Sequence, residues 1–236
     1  MGRGPRIEGR KNAEDAKRAK VFTKLIRDIT LAARNGADPA GNAKLRTAVD
    51  KGLAANMPKD KIEKAIRRGS GADGGADLQE MRYEGYGPGG VAIIIDALTD
   101  NPVRTVADVR HALTKHGGNL GTSGSVAFQF SRTGVVSVPA AAATEDRVME
   151  AALDAGAEDV FSEDEAIIVL CAPDAVDAVE QAVKEAGLPV DRAEIAMRPA
   201  NRSAVSGETA ETLQDLIEWL EELDDVQDVF HNASFD

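Results

Sequence analysis

The chain has 236 residues, 43% of them hydrophobic but only 4% aromatic, so aliphatic side chains must fill its cores. Its 28 Lys/Arg and 40 Asp/Glu give a formal net charge of -12, and the lone Cys171 excludes an intramolecular disulfide framework and a cysteine-rich zinc site. No apolar run approaches the roughly 20 residues needed to cross a bilayer. Arg3 and Arg6 lack the apolar stretch of a secretory signal behind them, so the expectation is a soluble, cytoplasmic protein.

The charge is unevenly distributed. Residues 1–70 hold 18 Lys/Arg against 8 Asp/Glu, a net of +10; residues 71–140 have a net of -2 and residues 141–236 a net of -20. A basic start and an acidic end point to a polyanion bound at one end. The acidic end is expected to be repelled from phosphates, with Glu163, Asp164 and Glu165 among the residues that orient the molecule.

The basic segment reads as helices. Between Lys11 and Arg34, Phe22, Leu25, Ile26, Ile29, Ala32 and Ala33 recur at helical spacing, while Lys17, Lys20, Lys24, Arg27 and Arg34 fall on the opposite side. Asn35-Gly36 and Asp38-Pro39 mark a stop and a turn. Leu45, Ala48, Val49, Gly52 and Leu53 form a second stripe ending at Asn56, and Pro58 fits the start of a third helix that buries Ile62, Ala65 and Ile66. Lys59, Lys61, Lys64, Arg67 and Arg68 stay outside. Gly69, Gly71, Gly74 and Gly75 read as a flexible linker.

Beyond the linker the period changes. Strands are expected at Met81–Tyr86 and Val91–Leu98, joined by Gly85–Gly90, then a helix at Arg104–His116 and strands at Val126–Phe130 and Val135–Val138 around Gly134. A helix near Thr144–Ala155, strands at Asp159–Ser162 and Ala166–Cys171, a helix from Asp174 to Ala186 and a strand at Ala193–Arg198 follow. A helix carrying Leu213, Leu216, Ile217, Leu220 and Leu223 and a strand at Val226–Phe230 close the chain. From Gly134 to Arg198 the order is βαββαβ, a ferredoxin-like unit, whereas the preceding ββαβ needs the final helix and strand to complete it. The expected fold is therefore a multidomain α+β protein, a helical bundle followed by two ferredoxin-like-type α/β domains. The divisions are 1–77 for the basic helical domain, 78–133 plus 206–236 for the second, and 134–205 for an acidic third inserted into the second.

Arg10-Lys11, Asp15-Ala16-Lys17-Arg18, Phe22-Thr23-Lys24-Leu25-Ile26-Arg27, Leu53-Ala54-Ala55-Asn56-Met57-Pro58-Lys59-Asp60, Tyr83-Glu84-Gly85-Tyr86-Gly87-Pro88-Gly89-Gly90, Thr99-Asp100-Asn101 and His116-Gly117-Gly118-Asn119-Leu120-Gly121 together resemble the YebC/PmpR-type family. The resemblance runs from about residue 10 to the end and is weakest across 140–200. It departs at the start, where many members carry Gly-His-Ser-Lys-Trp. The resemblance implies three domains and a DNA-binding transcriptional regulator. For related bacterial and mitochondrial members it implies a ribosome-associated translation factor acting on stalled proline-containing sequences.

The chemistry supports binding better than catalysis. Lys and Arg heads displace condensed counterions from phosphates, giving salt-sensitive affinity without sequence preference. The expected contacts are Arg10, Lys11, Lys17, Arg18, Lys20, Lys24, Arg27, Arg34, Lys59, Lys64, Arg67 and Arg68. The Gly85–Gly90 loop joins two strands and so lacks the helix N-terminus of a dinucleotide cradle; it reads equally as a structural turn or a site of close approach to nucleic acid. Gly117–Ser125 is similarly open. His111 and His116 are five apart, the wrong spacing for two metal ligands on one helical face, and His231 is distant in sequence. Cys171 follows an apolar run and reads as a buried strand residue, and Trp219 as packing between domains or subunits. No nucleophile, base and oxyanion set is visible, so the expectation is a non-enzyme without cofactor or metal. The leading reading is a regulator bound to DNA; a ribosome-associated factor contacting ribosomal or transfer RNA, and an adaptor with an acidic protein partner, are the alternatives.

Overall fold

The structure is a computed structural model that describes residue 19 and residues 21–72, 78–163 and 165–235. The described chain is mixed α+β and divides into two compact units, Met1–Ser123 with Val205–Val229 and Gly124–Ala204 with Phe230–Asp236.

The first unit begins with three helices: α1 (21–33), α2 (Ala43–Ala54) and α3 (Lys59–Gly69). Their apolar stripes meet in a core of Phe22, Ile29, Ala33, Leu45, Ala48, Met57, Ile62 and Ala65, drawn entirely from these helices and their connections. Asn42 ties two elements together. Its amide donates to the Ala32 and Gly36 carbonyls at the end of α1, while its oxygen accepts from Leu45 N and caps α2. Asn56 takes a left-handed φ of 57° after α2, and Pro58 stands just before α3. The linker expected from Gly69 onward is corrected at its first residue. Gly69 ends α3, and a Cβ there would lie 2.1 Å from the Thr30 carbonyl, so only glycine lets α3 pack directly on α1.

The rest of this unit is a four-stranded sheet in the order β3-β1-β2-β9, built from β1 (Gln79–Tyr86), β2 (Ala92–Thr99), β3 (Asn119–Leu120) and β9 (Val226–His231). Helices α4 (Pro102–Lys115) and α7 (Gly207–Glu222) belong to the same unit, and Val109, Leu113, Leu213, Leu216 and Leu220 are fully buried with Ile93 and Ile95 of β2. The expected third strand at Val126–Phe130 is corrected: β3 takes its place, pairing Gly85 with Leu120 and Tyr86 with Asn119. A Cβ at Gly118 would meet the Tyr86 carbonyl at 2.3 Å, which explains the glycine that leads into this pairing.

The second unit holds β4 (Phe130–Pro139), α5 (Glu145–Ala152), β5 (Ala157–Glu163), β6 (Ala166–Cys171), α6 (Val176–Glu185) and β7 (Arg192–Pro199). The sheet order is β5-β6-β4-β7, with every neighbouring pair antiparallel. Its core gathers Val136, Val138, Val148, Val169, Val179 and Val183, with Cys171 buried beside them. Gly134 does not separate two strands, as its sequence context implied. It lies inside β4, where a Cβ would meet Val176 Cγ2 at 2.5 Å and Cys171 Sγ at 2.6 Å. A short ladder of β8 (Ser203–Val205) with β10 (Ala233–Phe235) was not foreseen.

Candidate nucleic-acid interface

The exposed cations of the helical bundle concentrate on α3, where Lys59, Lys61, Lys64, Arg67 and Arg68 face solvent against Asp60 and Glu63. Ile62 and Ala65 anchor the opposite side in the bundle core. Lys61, Lys64 and Arg68 are spaced i, i+3, i+7 and so fall within about 60° of one another around the helix axis. Lys64 and Arg68 form no ion pair among the described residues, and Lys61 stands 5.4 Å from the centroid of the Phe22 ring. The result is a row of positive heads on a helix held rigidly from behind. Arg34 at the end of α1 and Lys44, Arg46 and Lys51 on or beside α2 are exposed as well.

Two of the expected phosphate contacts on α1 have internal partners. Lys24 Nζ donates to the Glu221 carbonyl at 2.9 Å, close to the C-terminal end of α7. Arg27 donates through Nη1 to the Asp224 carbonyl, and its Nη2 lies 2.8 Å from Asp225 Oδ1 with the side chain only 16% exposed. The expectation of one continuous solvent-facing stripe through Lys24 and Arg27 is corrected accordingly. Carbonyls near the negative end of a helix dipole, with carboxylates beside them, are natural acceptors for these cations. Arg10, Lys11, Lys17, Arg18 and Lys20 lie outside the described residues.

Asp225 is the centre of this contact. Arg104 Nη2 approaches its Oδ2 at 2.8 Å and Arg104 Nε at 3.3 Å, and the Thr105 hydroxyl lies 2.8 Å from the same oxygen. Burial alone would raise this carboxyl, but hydrogen bonds from Arg104 and Thr105 and the nearby Arg27 charge hold it below the usual carboxylate value. The Thr99-Asp100-Asn101 motif organises the neighbouring helix: Asn101 caps α4 by accepting from Arg104 N at 3.1 Å, and Thr99 Oγ1 accepts from Asn101 N at 2.9 Å. In the sequence Asp225 stands at the end of an acidic run, Glu221-Glu222-Leu223-Asp224-Asp225, with nothing local to mark it. Its partners lie far away in sequence, so no local pattern could have revealed it.

Beside this contact, α1 and the sheet enclose a cleft of about 480 Å³ lined by residues including Asp28, Leu31, Glu80, Asp96 and Gln227. Gln227 Nε2 donates to Asp28 Oδ1 at 2.7 Å and to the Lys24 carbonyl at 3.2 Å. Burial pushes the Asp28 carboxyl above its ordinary value despite Gln227, Lys51 and Lys24. Arg82 and Asp96 form a paired contact at 2.6 and 2.7 Å across β1 and β2.

The glycine loops are accounted for by packing. A Cβ at Gly85 would lie 2.5 Å from the Asn119 carbonyl, and one at Gly87 would meet Ile93 Cδ1 at 2.8 Å. Trp219, expected between domains or subunits, packs against α4 instead: Lys115 Nζ lies 4.3 Å from its ring centroid, with His111 and His116 edge-on at 6.0 and 5.4 Å. No group of three or more metal-ligating side chains occurs among the described residues. No helix among them is long and apolar enough to cross a membrane.

Comparison with known proteins places this arrangement. A profile of the TACO1/YebC N-terminal domain matches residues 4–72, and a profile of the TACO1/YebC second and third domains matches residues 78–233. The chain belongs to the TACO1/YebC family. Among its relatives in that family, a probable transcriptional regulatory protein of Xanthomonas campestris pv. campestris is 59% identical, covering 99% of this chain and 97% of the relative. A probable transcriptional regulatory protein of Stenotrophomonas maltophilia is 58% identical over the same shares. The crystal structure of a conserved hypothetical protein from Aquifex aeolicus superposes with a TM-score of 0.85 at 43% identity, covering 94% of this chain and 92% of that one. The boundary between the two TACO1/YebC profiles falls after the bundle whose core is self-contained.

Proposed function

We propose that this chain is a nucleic-acid-binding regulatory protein of transcription that docks on duplex DNA through the exposed cations of its helical bundle. The observation that carries this reading is the α3 row of Lys61, Lys64 and Arg68 over a buried anchor of Ile62 and Ala65. The family relatives named probable transcriptional regulatory proteins favour the same reading. The contact set is Lys59, Lys61, Lys64, Arg67 and Arg68, extended by Arg34 and by the basic residues Arg10, Lys11, Lys17, Arg18 and Lys20. Such contacts read charge and backbone geometry rather than base edges. No catalytic step is proposed.

The three-domain division at 1–77, 78–133 with 206–236, and 134–205 belongs to this proposal, as does a cytoplasmic setting. The β5-β6-β4-β7 order supports a ferredoxin-like third domain, since it is the order in which a βαββαβ chain closes antiparallel. The second domain, with order β3-β1-β2-β9, draws its last helix and strand from the C-terminal segment.

The test is binding of the full chain to a 20-base-pair DNA duplex across a salt series, followed by crosslinking in cells and sequencing of the bound nucleic acid. The expected result is affinity that falls steeply with salt, together with enrichment of promoter fragments. Recovery of ribosomal or transfer RNA in their place overturns the transcriptional reading.

A further inference from the structure

The contact between α1 and the α7–β9 turn is built unlike a permanent interface. It is held by polar bonds: Lys24 to the Glu221 carbonyl, Arg27 to the Asp224 carbonyl and the Asp225 carboxylate, and Gln227 to Asp28 and the Lys24 carbonyl. Beside them the α1 residues Asp28 and Leu31 line an open cleft rather than a packed seam. Gln227 Oε1 is buried with no hydrogen-bond partner among the described residues, and Asp28 is held in an environment that disfavours its charge. Both features weaken the docked state. The bundle has its own apolar core and so does not depend on this contact for its packing.

Release is also inexpensive for the carboxylate left behind. When Arg27 departs, Asp225 keeps Arg104 at 2.8 Å and the Thr105 hydroxyl at 2.8 Å, so no buried charge is orphaned. The departing groups are two cations on the helix that precedes α2 and α3. The docked state thus hides positive charge that the released state offers to solvent.

We propose that this contact is a latch opened by polyanions: in the closed state α7 and Asp225 occupy Lys24 and Arg27, and in the open state phosphates take them. The proposal rests on the nucleic-acid reading above for its ligand. A polyanion shifts the equilibrium because it binds the open state through more cations than the closed one.

The test uses the full chain spin-labelled through Thr47→Cys on α2 and Asp215→Cys on α7, both exposed positions, with the buried Cys171 left unmodified. At low salt a single narrow interspin distance is expected. Saturating 20-base-pair duplex, or NaCl raised to about 1 M where the screening length falls to ~3 Å, should add a longer and broader population. Asp225→Asn should populate that state without duplex and bind duplex about 3- to 10-fold more tightly, because closure no longer competes with binding. If Asp225→Asn fails to fold, Gln227→Ala removes the bonds to Asp28 and Lys24 without touching Arg104 and should act in the same direction. Distances unmoved by salt and by duplex, or folded variants that bind no more tightly, overturn the latch. A duplex that fails to bind the unaltered chain refutes the proposed function, and the salt series then decides the latch alone.

Discussion

Neutralising the α3 row gives the sharpest check on the proposed binding surface. Lys61→Gln, Lys64→Gln and Arg68→Gln together remove three exposed charges spread over seven residues, about 10 Å of helix axis at ~1.5 Å per residue. That length matches about three phosphates along one strand, whose charges rise ~3.4 Å apart. Each phosphate contact adds roughly 0.9 to the slope of log affinity against log salt, so the triple variant should lose about 2.7 from that slope. The ratio of unaltered to variant affinity should then shrink by roughly 40-fold between 50 and 200 mM salt, a signature that a simple loss of folded protein cannot imitate. Fluorescence anisotropy with a labelled duplex at four or five salt concentrations measures it. Helicity should be unchanged, because Lys64 and Arg68 make no ion pair among the described residues, and the Lys61 contact with Phe22 is worth no more than about 1 kcal/mol at an exposed site. A folded triple variant with the same salt slope as the unaltered chain would show that phosphates are met elsewhere.

Gly134→Ala should destabilise the chain by about 1–3 kcal/mol in denaturant unfolding, since the new methyl would press on Val176 Cγ2, Cys171 Sγ and the Ala172 carbonyl. Asn101→Ala should cost about 1 kcal/mol by removing the cap of α4, read as a lowered melting temperature. Asp28 and Asp225 should have opposite effects on acid stability. The raised Asp28 carboxyl contributes stability below its unfolded value that is lost as pH rises through its folded one, whereas the lowered Asp225 carboxyl contributes stability above its unfolded value that is lost as pH falls. Asp28→Asn should therefore raise stability at pH 7 relative to pH 3, and an unchanged difference between the two pH values would refute the burial argument.

The parts of the fold legible in the sequence were those whose signal is local. The stripes Phe22–Ala33, Leu45–Gly52 and Ile62–Ala65 define α1 to α3 because a helix repeats its buried positions within a few residues. The β3 strand was invisible because two residues carry no period, and Gly85 and Tyr86, far upstream, provide its partner. Gly134 was misread as a break because glycine usually signals a turn, while here Cys171 and Val176 leave no room for a methyl. In the candidate site the α3 cations were legible from their spacing opposite Ile62. The engagement of Lys24 was not, since its acceptor is 197 residues away.

That difference bears on how a chain of net charge -12 can hold a basic surface at all. Uniform mixing of the charges would let each carboxylate neutralise a nearby cation and leave no field for a polyanion. Segregating them into a +10 start and a -20 end preserves the field, but brings strong attraction between the two wherever they touch. Among the described residues that attraction is met on α1, where Lys24 and Arg27 engage the end of α7 and Asp225, while Asp225 is also held by Arg104 and Thr105. The α3 row is thereby left facing solvent, with its side chains uncommitted at Lys64 and Arg68. Placing a carboxylate beside that row by Arg67→Glu should therefore weaken duplex binding more than Lys44→Glu, because it stands three residues from the uncommitted Lys64 on the same helix. Equal losses at the two positions would mean that the bundle acts only through its total charge, with α3 holding no special place.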